Sequence, residues 1–150
     1  MRTRRVLWLA IAVLLTVYLT PPPAAAQSGD SLYKRLGGYD AIAAVVDDFI
    51  GRMIADPSLK RFFDPFSNDS KGRIRQHLVD QICAASGGPC VYTGRTMKVV
   101  HTGVGITEAD WSKFVTHLTA TLDKFKVPSR EKGDVLAFVA SVKGDTVEKP

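Results

Sequence analysis

The chain has 150 residues, 45% of them hydrophobic and 23% charged, with 12 glycines and 8 prolines. That is enough for one domain with a packed core, and it excludes a disordered chain, a collagen and a low-complexity tract. Of the formal charge of +5, three units are Arg2, Arg4 and Arg5 in an acid-free N-terminal stretch; the remaining +2 makes no electrostatic case for a nucleic-acid partner.

Residues 1–26 read as an export signal. Residues 1–5 are cationic, 6–19 are fourteen uncharged and mostly apolar positions, and Ala24-Ala25-Ala26 supplies the small residues a signal peptidase requires. Spanning ~30 Å of hydrocarbon takes about 20 apolar residues, and this run stops early at Pro21-Pro22-Pro23. Cleavage after Ala26 is therefore expected, with an uncleaved membrane anchor as the alternative. Thr3-Arg4-Arg5-Val6-Leu7 resembles the twin-arginine signal that carries folded, cofactor-loaded proteins, but the short cationic region and very apolar run favour general secretion. The expected location is the periplasm or the outside of the cell.

From the leader onward one domain is expected over residues 31–147. Ser31 to Leu36 reads as a short turn or helix closed by Gly37-Gly38. Between Tyr39 and Asp56, Ile42, Val45, Val46, Phe49, Ile50, Met53 and Ile54 recur at three and four residues and form one wide helical stripe. Phe62, Phe63 and Phe66 then cluster in a segment too short and Pro-broken for a long helix, and all three are expected to bury.

The next helix, Ser70 to Ala85, carries Ile74, Leu78 and Ile82 and ends at Gly87-Gly88-Pro89. In an oxidising compartment Cys83 and Cys90, joined through that turn, are expected to pair as a disulfide. Alternatives are two buried free thiols or a zinc site shared with His77 and His101, whose spacing matches no common zinc motif.

Thr96 to His101 gives barely two helical turns before Gly103 and Gly105. Thr107 and Asp110 resemble a capping box with Asp in place of Glu, opening a long helix striped by Trp111, Phe114, Val115, Leu118, Leu122 and Phe125. Ser129 is expected to cap a last helix bearing Val135, Phe138, Val139 and Val142, with a flexible tail after it. No segment alternates with period two long enough to demand a sheet, so the class is all-α.

The sequence has no Gly-rich phosphate loop and no nucleophile elbow, and its acids fall mostly on solvent faces of helices. His101 is the unusual residue, ending a short helix beside two glycines after Met97, Val99 and Val100. A neutral imidazole there, facing another apolar helix, suits the axial ligand of a haem iron, although a lone histidine is more often a helix-end or core residue.

Several stretches in order then bring in a family. Ser31-Leu32-Tyr33-Lys34-Arg35-Leu36-Gly37-Gly38, Val46-Asp47-Asp48-Phe49, Phe62-Phe63, Gly87-Gly88-Pro89, Tyr92-Thr93-Gly94-Arg95-Thr96-Met97-Lys98, His101 and Gly105-Ile106-Thr107 resemble the group I truncated haemoglobins, from about Ser31 to Val142. The resemblance implies a truncated globin, a two-over-two helical sandwich around one haem b. It makes His101 the proximal iron ligand and Phe63 the ring packed on the haem face, with Phe62 beside it. Tyr92 and Lys98 fall near the haem edge, where a cation can pair with propionates. Met97 and Val100 would line the proximal side, and Phe114 and Leu118 the far wall.

The distal side departs from the family. Ile50 stands where many members have a hydrogen-bonding tyrosine, and Ile74 and Leu78 stand where the family often has Leu or Gln and then Gln. A hydrogen bond to the charge that dioxygen acquires is worth about 1.5–3 kcal/mol, about ten- to a hundredfold in affinity, so weaker and faster-leaving dioxygen is expected. His77 is the candidate replacement: some members carry there a histidine that ligates the iron itself, and the competing reading has it facing a propionate or solvent. Gln81 is a weaker donor candidate, and His117 carries no family role.

Three functions follow. One is a haemoprotein that binds dioxygen or nitric oxide outside the cytoplasm, with nitric oxide dioxygenation, fed by an unidentified reductase, as its enzymatic version. The second is a two-histidine redox or sensor protein that moves electrons. The third is a helical binding module that has lost haem.

Overall fold

A computed structural model describes residues 30–148, and these contain helices, turns and no β-strand. The expected export signal lies outside the described residues. Helix α1 (Leu32–Arg35) is capped by the Ser31 hydroxyl, and Arg35 ties it to the later chain through Glu131 and Asp134 at 2.8 and 2.7 Å. Helix α2 (Gly38–Ala55) follows the glycine pair and buries Ile42, Ala43, Val46, Phe49 and Met53, the inner part of its stripe. A single 3₁₀ turn, Lys60–Phe62, holds the aromatic segment.

Helix α3 (Asn68–Ala85) starts two residues before the expected position, because the Ser67 hydroxyl accepts the Ser70 N–H at 3.2 Å and caps it. Helix α4 (Met97–His101) is capped by Thr96. Helix α5 (Glu108–Lys124) opens on the expected capping box, with Thr107 and Asp110 each accepting the other's backbone N–H.

Helix α6 (Ser129–Ser141) corrects one expectation: Ser129 is already in the helix, and Pro128 precedes it in extended conformation with its carbonyl accepting the Lys132 N–H. Proline's fixed φ prepares this entry without a side-chain cap. A second correction concerns the tail. Residues after Val142 form α7 (Lys143–Thr146), whose Thr146 is buried and whose Lys143 pairs with Glu108 at 2.8 Å. Contacts with α4 and α6 hold a K-G-D-T stretch that has no apolar period of its own.

Two apolar clusters form where the helices cross. Phe49, Met53, Leu59, Leu118, Leu122 and Val135 join α2, α5 and α6, while Ile42, Val46, Val79 and Cys83 join α2 to α3. Cys83 and Cys90 are bonded, with their Cα atoms 5.7 Å apart. That removes both from the zinc alternative, and no group of three or more potential metal-binding side chains occurs among the described residues. Gly88 is required at this corner: a Cβ there would sit 2.5 Å from the Tyr33 ring and 2.7 Å from Cys83 Sγ.

Candidate functional site

Between α2, α3, α4, α5 and α6 lies a cavity of about 660 Å³, within the ~300–1,000 Å³ typical of cofactor and ligand pockets. Its distal wall is Ile50 from α2 with Ile74 and Leu78 from α3. Phe62, Phe63, Phe114 and Leu118 line it as well. Phe114 is itself fixed, edge-on to Phe49 at 4.9 Å and stacked on Trp111 at 5.2 Å. Met97, Val100 and His101 line the opposite side, at the first, fourth and fifth positions of α4, the spacing that puts three side chains on one helical face.

Among these groups His101 has a defined chemistry. Its Nδ1 lies 2.8 Å from the Met97 carbonyl oxygen. A carbonyl only accepts, so Nδ1 is the donor, and in the neutral imidazole the lone pair is on Nε2. A hydrogen bond of this kind on the second nitrogen is how ligating histidines are usually oriented. Apolar walls with one basic nitrogen thus fit an iron porphyrin.

The aromatic end is held by ion pairing. Arg61 lies over the Phe62 ring at 4.3 Å and reaches both Asp110 carboxylate oxygens at 2.8 Å. Burial pushes the Asp110 carboxyl up, but the Thr107 N–H and hydroxyl together with Arg61 outweigh it and hold the group below its ordinary value. Phe66, expected to bury, is 44% exposed, because it stands at the open edge of the cavity instead of under it.

The mouth is polar. His77 is exposed, lines the cavity and sets its ring edge-on to Tyr92 at 6.0 Å between centroids. The Tyr92 hydroxyl donates to the Arg95 carbonyl at 2.7 Å, its ring lies so close over Gly94 that a Cβ there would overlap it, and burial pushes the phenol up. Lys98 is exposed and does not line the cavity; Arg73 and Arg95 are the cations that do. Position 98 follows Met97 around α4 by 100°, away from the inward face, a signal the spacing already contained. Gln81 also lines the cavity, seven residues past Ile74 on the same stripe, and makes no side-chain hydrogen bond among the described residues. His117 is occupied elsewhere, its Nε2 2.8 Å from Asp56 Oδ2.

Helices crossed around an apolar cavity, with the His101 imidazole on a short helix of its lining, define a globin of the shortened type. Residues 31–148 match the model of the bacterial-like globin family. The group 1 truncated hemoglobin GlbN of Mycolicibacterium paratuberculosis is 37% identical over 110 residues, spanning 73% of this chain and 79% of that one. The corresponding GlbN of Synechocystis is 31% identical over 123 residues, spanning 79% and 94%. Among solved structures, the Fe(III) truncated hemoglobin of Tetrahymena pyriformis superposes with a TM-score of 0.72 at 25% identity, over 80% of this chain and all of that one. The 2/2 hemoglobin of Synechococcus in the cyanomet state gives 0.69 at 30% identity, over 76% and 94%. The chain belongs to the bacterial-like globins and, within them, to the group I truncated haemoglobins. A haem cofactor and small diatomic ligands come with that membership.

Proposed function

We propose that this chain binds haem b through Nε2 of His101 and takes up dioxygen or nitric oxide on the opposite side, outside the cytoplasm. The observation that carries the reading is the 2.8 Å contact from His101 Nδ1 to the Met97 carbonyl, which leaves the other nitrogen basic on the cavity side of α4. When bound, haem iron supplies reversible coordination of a diatomic gas.

The rest is the work of this chain. Met97 holds the imidazole tautomer, while Val100, Phe114 and Leu118 exclude water. Phe62 and Phe63 wedge the group in place from a turn fixed by Arg61 and Asp110. Arg73 and Arg95, at the rim, are suited to the carboxylates of a haem b edge. On the distal side Ile50, Ile74 and Leu78 donate nothing, so Gln81 and His77, among the polar α3 residues on the lining, are the candidate donors. This composition favours a weakly held, quickly exchanged gas over nitric oxide dioxygenation, and a reductase would serve to keep the iron ferrous.

A second reading has His77 on the iron in a redox or sensor role. Its position on the cavity lining favours that reading; its exposure, edge-on to Tyr92, favours an open site. Visible spectra of the ferrous protein separate the two. A broad band with fast dioxygen release supports the gas-binding reading, and a sharply split band abolished by His77→Ala overturns it in favour of two-histidine coordination.

A further inference from the structure

We infer that Glu148, at the far end of the chain, is a positioning residue for the proximal ligand, acting through the turn that follows His101. This rests on the reading of His101 as iron ligand. Helix α4 has five residues, too few to hold its own orientation, so the direction of His101 depends on what fixes its two ends. At the N-terminal end Thr96 caps it. Beyond its C-terminal end the chain turns through Gly103 and Gly105, with φ of +83° and +75°.

The backbone N–H groups of Gly103 and Gly105 both donate to the Glu148 carboxylate, at 2.5 and 2.6 Å, one to each oxygen. Charge-assisted bonds of this kind are about twice as strong as neutral ones. The Glu148 N–H donates in turn to the Ile106 carbonyl at 3.0 Å, and Val104 N–H to the His101 carbonyl at 3.1 Å. The turn is therefore closed from both sides within two residues of the ligand. Helix α7 delivers the carboxylate: Thr146 is buried and lines the cavity with Val104 and Ile106, and Lys143 ties α7 to Glu108. The C-terminal segment thus forms part of the proximal wall, and its last described carboxylate decides how firmly α4 presents His101.

The test uses the full-length haem-loaded protein and three variants, Glu148→Gln, Lys132→Ala and His101→Ala. Transfer of haem to excess apomyoglobin should be about tenfold faster in Glu148→Gln, the lower end of losses seen when the support of a ligating histidine is removed. Its ferrous iron–imidazole stretching band should shift or broaden, and the Gly103 and Gly105 amides of the haem-free protein should exchange hydrogen faster. Lys132→Ala, which removes the Lys132–Asp123 ion pair outside the device described, should leave the band unchanged even if melting falls. A wild-type band, transfer rate and amide protection in Glu148→Gln would overturn the inference. Retention of the band in His101→Ala would instead overturn the ligation reading itself, so the two failures are distinguishable.

Discussion

Breaking the Cys83–Cys90 link tests how the distal helix and the mouth loop are coupled. With a sequence separation of 7, the bond closes a loop of eight residues counting both cysteines. Loop-closure entropy then gives about 2.5 kcal/mol at 25 °C from the chain-entropy expression. Cys83 is fully buried against α2, so a lone thiol there remains a small hydrophobe and Cys90→Ala isolates the cross-link itself. At roughly 3–5 °C per kcal/mol for a domain of this size, the melting temperature should fall by about 8–12 °C. Far-UV circular dichroism of the haem-free protein reads the shift, and a thiol reductant should lower wild type to the same temperature while leaving Cys90→Ala unmoved. A fall below about 3 °C would refute the entropic argument. The bond also anchors the loop that carries Tyr92 against His77, so the ferrous haem spectrum should gain a two-histidine component when it opens. Identical spectra with and without the bond would refute that coupling.

Tyr92→Ala removes the ring against which His77 rests; the ferrous spectrum should shift toward six-coordination, and the added His77→Ala should reverse it. Arg95→Ala should speed haem loss several-fold, in a manner that weakens with added salt, as read by transfer to apomyoglobin. Acid unfolding has a defined sign. Arg52, then Lys124 and Thr121, hold the Asp48 carboxyl well below its ordinary 3.8. A depressed folded value means stability that is complete above the unfolded value and lost as pH falls through it, from about pH 5 downward. Asp48→Asn should therefore be less stable near neutrality and show a flatter stability profile between about pH 5 and 2 in denaturant titrations.

Much of this molecule is legible in its residues because burial leaves a period. The stripe of Ile42, Val46, Phe49 and Met53 on α2, and the Thr107–Asp110 box opening α5, follow from spacing and local capping alone. His101 stands out as the end of a short apolar helix beside two glycines, and its ligand role comes from the resemblance to the truncated haemoglobins, not from spacing; the structure puts it on the cavity lining with Met97 and Val100. What spacing could not show is decided by distant partners. Helix α7 exists because Thr146 and Glu148 meet residues some forty positions earlier. Loop residues have no periodic face, so Arg95 gave no signal of turning toward the cavity. Phe66 looked like core from its composition, yet it stands at an edge where the cavity opens.

The claim that Nε2 of His101 holds haem iron is tested most directly by His101→Gly with and without added imidazole. The variant should lose its iron–imidazole band and release haem far faster than wild type, and imidazole, filling the space left by the side chain, should restore both. Haem held at the wild-type rate with the same band, in the absence of imidazole, would contradict the account.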